Sequence, residues 1–263
     1  MNALSAVFRF QVQDAFRSRW LLVHTLVYLV ITEGLLMATG FSDKALVSLI
    51  NVVLLLVPLV ALVFGVIHHY NSRDYTIWML TQPIKRKTLF TGLYFGMSIP
   101  MILSFAIALF LPFAWHGGLD PERGMRLVSL IGLGSLLTLT CAGVAFGLAV
   151  RFADRVKGIG LALFLWLTFA LLYDGLVLIG ITMFDSWPIE KALLVVMLAN
   201  PIDLARLILL QLFDAAAMLG TTGAVFTRFF GSATGVMLAL TALFIWTATP
   251  ALNALRLFRR QDF

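Results

Sequence analysis

Residues 46–68 read LVSLINVVLLLVPLVALVFGVIH, an apolar run without a single Asp, Glu, Lys or Arg. A helix of about 20 such residues crosses the hydrocarbon core of a bilayer. Five more runs obey the same rule: Trp20–Ala38, Phe90–Trp115, Leu127–Val150, Ile159–Phe184 and Ser232–Leu252. Only helices and closed barrels satisfy their backbone groups in lipid, and barrel strands would alternate at period two, which these runs do not. The expected fold is therefore an all-α membrane protein with six transmembrane helices. Of 263 residues, 61% are hydrophobic and 12% charged, far from soluble averages. The spans leave no room for a separate soluble catalytic domain, so 1–263 is expected to be a single transmembrane domain. Its parts are residues 1–19, spans one to five over 20–184, an outer element over 185–231, and span six with a basic tail over 232–263.

The net charge of +6 is distributed by side. Assigned alternately, one side collects Arg9, Arg17, Arg19, Arg73, Lys85, Arg86, Lys87, Arg151, Arg155, Lys157, Arg256, Arg259 and Arg260, thirteen of the 19 basic residues. The positive-inside rule then puts both termini in the cytoplasm of a bacterial inner membrane, with anionic lipid headgroups as neighbours. The charge is thus an orientation signal and not a nucleic-acid footprint. Arg17 and Arg19 precede the first run but no small-residue cleavage site follows it, so that run reads as a retained anchor. The one cysteine, Cys141, lies inside span four and supports neither a disulfide framework nor a thiol metal cluster.

The connections carry the remaining signals. In residues 1–19, Phe8, Val12, Ala15 and Phe16 recur at helical spacing, giving an amphipathic helix expected to lie in the inner interface. Residues 69–87 read HYNSRDYTIWMLTQPIKRK. Asp74 suits an N-cap or first turn, and Pro83 disfavours helix at Gln82, so a helix of about two turns is expected over Asp74–Gln82. Tyr75, Trp78 and Met79 share one face, with Ile77 and Leu80 beside it. Such an apolar patch on a short loop helix meets a partner or the membrane. In the outer segment, Ser186-Trp-Pro188 opens an apolar helix to about Ala199. Asn200-Pro201-Ile202-Asp203 then starts a second, with Asn200 as N-cap and Pro201 at N1. Both are too short to span and should dip into the outer leaflet, with Gly220, Gly223 and Gly231 loosening the return.

This order of parts resembles the ABC-2 type permease family, whose type V exporter-like plan has an N-terminal interfacial helix, six spans, a cytosolic coupling helix and re-entrant outer helices. The resemblance rests on Arg73-Asp74-Tyr75-Thr76 through Gln82-Pro83-Ile84-Lys85-Arg86. It departs at Tyr75, where glycine is usual, and at Tyr94, where many members carry lysine. Phe169-Ala-Leu-Leu-Tyr173-Asp174 and Ala199-Asn200-Pro201-Ile202-Asp203-Leu-Ala-Arg206-Leu further resemble the NosY-type permeases of the nitrous-oxide-reductase maturation transporter. The resemblance implies an ATPase-coupling surface of Asp74, Tyr75, Ile77, Trp78, Met79, Pro83 and Arg86. It also implies contacts to an outer partner through Asn200, Pro201, Asp203 and Arg206. The partners so implied are a cytosolic ABC ATPase subunit, a periplasmic β-helical protein and a second copy of the chain. The function implied is ATP-driven export or mechanical signalling for copper-site assembly. The alternatives are export of a lipid, polysaccharide or drug, and a membrane-embedded enzyme.

ATP and Mg belong to the partner, because no G-x-x-x-x-G-K-[ST] cradle occurs here, and no cofactor is expected in this subunit. Enzymatic readings lack their residues. Gly132-Leu-Gly134-Ser135 has the wrong order for a rhomboid-like serine, and Asp174-Gly175 is too little acid for a phosphatidyltransferase. Asp174 in span five and Glu33 in span one are costly intramembrane carboxylates without an evident sequence partner, as is His24. Met97 and Met101, at i and i+4, would suit a soft metal, but without Cys or His nearby they are expected to pack; no metal site is expected. His68-His69 read as interfacial. Gly92-x-x-x-Gly96 and Gly143-x-x-x-Gly147 are helix-association motifs, expected to pack spans three and four together.

Overall fold

A computed structural model describes residues 3–40, 44–117, 120–183, 196–213 and 233–261. The first apolar helix expected of the outer segment and its three glycines lie outside these residues, apart from the helix's last positions at 196–199. The elements are α1 (Ala3–Arg17), α2 (Arg19–Ala38), α3 (Lys44–Asn71), α4 (Arg73–Leu80), α5 (Arg86–Trp115), α6 (Pro121–Arg151) and α7 (Arg155–Leu167). A π-helical turn (Thr168–Leu172), α8 (Tyr173–Met183), α9 (Pro201–Leu212) and α10 (Ala233–Arg260) follow. No strand occurs among the described residues.

Six helices are long and apolar enough to cross a membrane: Arg19–Ala38, Lys44–Asn71, Arg86–Trp115, Pro121–Arg151, Arg155–Gly180 and Gly235–Arg260. The six expected spans are all present and the protein is an all-α membrane protein. Local chemistry starts the helices where the sequence marks them. Asp120 caps α6 by accepting from the Arg123 amide at 2.8 Å, ahead of Pro121 at the first helical position. Asp154 caps α7 through the Val156 amide at 2.9 Å. Positive-φ glycines, Gly40 and Gly117, follow α2 and α5, as expected where a chain must leave a helix left-handed. Span six departs from expectation at its end: the helix does not stop at Leu252 but runs to Arg260, so the basic tail is its last turns. Hydropathy falls there, but backbone hydrogen bonding does not depend on it.

Spans two, three and four form the centre. Of their most apolar windows 50%, 56% and 56% is buried, against 22%, 11% and 17% for spans one, five and six. The outer three therefore present apolar flanks to whatever surrounds the bundle, which in a bilayer carries no hydrophobic penalty. Met97 and Met101 are buried in the central packing, as expected.

The two glycine motifs do not pack against each other. A Cβ at Gly92 would lie 2.5 Å from Cγ1 of Val7, and one at Gly96 would overlap the Gln11 side chain. Span three thus spends its small-residue groove on α1. A Cβ at Gly143 would lie 2.8 Å from the Ala251 amide nitrogen, so span four spends its own on span six. Accordingly α1 buries Val7, Gln11 and Ala15, a face rotated from the one its apolar periodicity suggests; Phe16 is exposed.

Candidate functional site

Two polar assemblies stand at opposite ends of the bundle. At the end that gathers α1, α4 and the last turn of α10 (the terminal side), α4 is the centre. Asp74 sits in its first turn, and the helix covers Arg73–Leu80, close to the expected span. Its inner face is fastened. Thr76 is buried and donates to Ser72 O at 2.8 Å. Tyr75 stacks on Phe10 of α1, rings 4.8 Å apart and 10° from parallel. Met79 and Leu80 lean on the terminal-side core. The outer face is open: Trp78 is 62% exposed and Ile77 38%, with Asp74 and Pro83 also exposed.

The seven residues expected to form one coupling surface therefore divide. Asp74, Ile77, Trp78 and Pro83 face outward, while Tyr75 and Met79 face the bundle. Arg86 does neither: one guanidinium nitrogen donates to Arg259 O at 3.0 Å and Gln261 O at 2.6 Å. These carbonyls have no successor in the helix to satisfy them, and a cation suits the negative end of the helix dipole. Arg86 thereby ties the start of span three to the end of span six.

The residues just before α4 are equally committed. His68 and His69 are buried, not interfacial. His68 Nε2 meets Gln11 Oε1 at 3.2 Å and His69 stands edge-on to Phe146; adjacency on the helix sends them to different partners, as their spacing dictates. The Tyr70 hydroxyl donates toward Phe152 O at 2.6 Å and Asp154 O at 3.2 Å, in the turn joining spans four and five. Gly158 makes room for it, since a Cβ there would overlap the Tyr70 oxygen. Nothing in the local sequence marks Tyr70; its role exists only once spans two and five are neighbours.

At the far side, the two stretches singled out around Asp174 and Asn200 are docked on one another. The π turn Thr168–Leu172 interrupts the α hydrogen bonding of span five. Asn200, fully buried, supplies a donor to the carbonyl in that turn: its Nδ2 lies 2.8 Å from Phe169 O and 2.8 Å from Asp203 Oδ2. Its Oδ1 accepts from the Ile202 amide at 3.0 Å, the N-cap expected from the sequence, with Pro201 in the first turn. Arg206, one turn along α9, donates from one nitrogen to Asp174 Oδ2 at 2.6 Å and Asp203 Oδ1 at 3.2 Å. Asp174 thus has the partner its sequence context does not reveal. Tyr173 donates to Val196 O, and the Trp246 indole of α10 donates to Leu198 O at 3.0 Å. The other two lone polar residues are also partnered: Glu33 with His116 at 2.7 Å, His24 with Ser104 at 2.6 Å.

Asp203 is the sensitive member. Burial, helped by the Asp174 carboxylate, pushes its carboxyl up to about 7, with Arg206 and Asn200 opposing. One guanidinium shared by two acids does not offset the desolvation. A carboxyl raised from 3.8 in the unfolded chain binds its proton more tightly when folded, so its contribution to stability is full below the lower value and is lost as pH rises through about 7. Docking of α9 should accordingly loosen between pH 5 and pH 8, read as faster amide hydrogen exchange in 201–212 after correction for intrinsic rate. Asp203→Asn should flatten that dependence; an unchanged slope in the variant would assign it to another group.

No family model matches the chain. It is similar over 99% of its own length and 99% of theirs to two proteins, each titled "Probable ABC transporter permease protein NosY": 30% identical to that of Pseudomonas aeruginosa and 26% identical to that of Stutzerimonas stutzeri.

Proposed function

Because this chain belongs to the family of NosY-like ABC transporter permeases, and is a permease subunit with no enzymatic role of its own, we propose that it takes the stroke of a separate ATPase at α4 and carries it across the bilayer. ATP and Mg would be bound by that ATPase. In this reading the terminal side faces the cytoplasm, as the thirteen basic residues on that side suggest. The far-side polar cluster then faces the periplasm, where the resemblance carried by 169–174 and 199–207 implies a β-helical partner and copper-site assembly of nitrous oxide reductase. The weakly buried flanks of spans one, five and six offer surface for a second copy of the chain.

One observation carries the reading. A tryptophan and an isoleucine stand exposed on a helix whose opposite face is locked to α1 and the core. An exposed aromatic on a rigid mount is the type of residue that dominates association energetics. Trp78→Ala or Ile77→Asp should cut copurification of the ATPase subunit about tenfold or more, the loss typical of an interface anchor. Neither side chain belongs to the packed clusters of the bundle, so membrane insertion and melting temperature should hold. Undiminished copurification of the ATPase with both variants would remove α4 from the coupling surface.

A further inference from the structure

The terminal-side half of the bundle carries an apolar groove of about 390 Å³, open between spans one and five with span two as its longest wall. Trp20 and Ile67 mark its terminal-side end, Tyr28 and Leu56 its deep end. It stops there: just past Leu56 the Trp166 indole crosses from span five to Leu55 O at 3.0 Å, and Tyr28 is buried. From Leu56 to Ile67 is about 16 Å of helix at 1.5 Å per residue, the depth of one leaflet of a hydrocarbon core about 30 Å thick. The walls offer little to a polar ligand. His24 Nδ1 is held by Ser104 at 2.6 Å, and the Tyr28 hydroxyl is enclosed. The mouth is cationic. Arg19 lies one and two turns ahead of Val23 and Val27, on the line of residues that forms the bank of span one. Arg155 and Lys157 stand in the first turn of span five, on the other bank. All three are exposed, and none makes an ion pair among the described residues.

We propose that this groove is a phospholipid site: one acyl chain of an anionic lipid in the terminal-side leaflet fills it, and the phosphate rests on Arg19 and Lys157. Depth, volume and charge each select this occupant. The volume holds about a dozen methylene-sized groups, taking the 30 Å³ of a water as the unit, which is a single chain. A helix of a second copy is about 10 Å across with its side chains, so the same length of it would need about 1200 Å³; it can cover the groove but not enter it. An uncharged apolar molecule would leave the cations at the mouth unanswered, whereas each cation at a membrane surface favours an anionic headgroup by a factor of about five. Trp20, 62% exposed, stands at the mouth as aromatic side chains do at the level of the headgroups. The bound chain completes the packing between spans one and five, both weakly buried by protein. The site does not depend on the coupling reading of α4.

The test uses the full-length chain in mild detergent, titrated with dioleoyl phosphatidylglycerol or, for comparison, dioleoyl phosphatidylethanolamine, and read by native mass spectrometry. One phosphatidylglycerol per chain should bind at saturation, preferred about tenfold or more over phosphatidylethanolamine. Val63→Trp fills the groove from span two at a position outside the packed clusters. Leu163→Trp fills it from span five at an exposed position. Both should abolish the bound lipid at an unchanged melting temperature. Arg19→Gln with Lys157→Gln leaves the groove open, and should bring phosphatidylglycerol down to the level of phosphatidylethanolamine while the latter holds. A phosphatidylglycerol with a photoreactive group midway along one chain should label 20–28 and 56–67. Binding of both lipids that is equal, unsaturable and indifferent to the two filling variants would be ordinary boundary lipid and would overturn the site. Filling variants that dissociate a dimer but leave lipid binding unchanged would make the groove a contact between copies, which also overturns it.

Discussion

Gly143→Val is expected to lower the stability of the bundle by about 3 kcal/mol, the upper range for forcing extra volume into a packed contact. Already at the Cβ, the added carbon would stand 2.8 Å from the Ala251 amide nitrogen and 3.2 Å from its Cα. Those are backbone atoms, held by the helix, and cannot swing aside as a side-chain terminus can. Span six would have to withdraw, breaking the contact between Thr140 and Thr247 at 2.9 Å. Gly147, the other half of the same motif, is the control. A Cβ there meets only Ala254 Cβ at 3.9 Å, ordinary contact, so Gly147→Ala should be near neutral. Thermal unfolding in detergent compares the two; equal melting temperatures would mean that the close approach of spans four and six is not maintained.

Arg206→Leu is expected to cost about 2 kcal/mol, less than a fully buried pair would lose because Asp174 is half exposed and partly screened. The side chain of Asp203 is 13% exposed and that of Asp174 47%. Removing the cation leaves two carboxylates facing each other, with Asn200 still donating to Asp203. Asp203→Asn alone should tighten α9 docking at neutral pH, since the amide does not ionise and so keeps what the buried carboxyl loses as pH rises through about 7. The double variant should recover part of the loss, because the amide tolerates burial without a counter-ion. Melting temperature and hydrogen exchange across 201–212 report the effect; a double variant as unstable as Arg206→Leu would show that Arg206 acts by packing and not by charge.

How much of this the sequence carries depends on the range of the force involved. Span number and order follow from apolar length, a property of each segment alone, and so do the Asn200 cap and the short helix before Pro83. Helix partners are another matter. Gly92 and Gly143 announce close contacts without saying with what; only the fold pairs them with Val7 and Ala251. Tyr75 and Trp78 share an apolar character and look like one face, but the stack of Phe10 on Tyr75 turns that residue inward. Asp174 and Arg206 stand 32 residues apart, and each is conspicuous, but a pairing across that distance depends on how α9 folds back. Tyr70 gives no local sign because its two acceptors are backbone carbonyls, which every residue has.

The π turn in span five has a consequence for what changes of length this chain tolerates. Such a turn accommodates one residue more than the α-helix around it needs. Loss of any one residue from 168–172 would let the helix close into ordinary α geometry, at no cost to its own hydrogen bonding. Everything beyond would keep its facing, since the wide turn already absorbs the surplus residue, but the carbonyls of the turn would be taken up within the helix and Asn200 would lose its acceptor at Phe169 O. Descendants of this protein are thus free to exchange many of the greasy residues in that stretch for others, but not to shorten it.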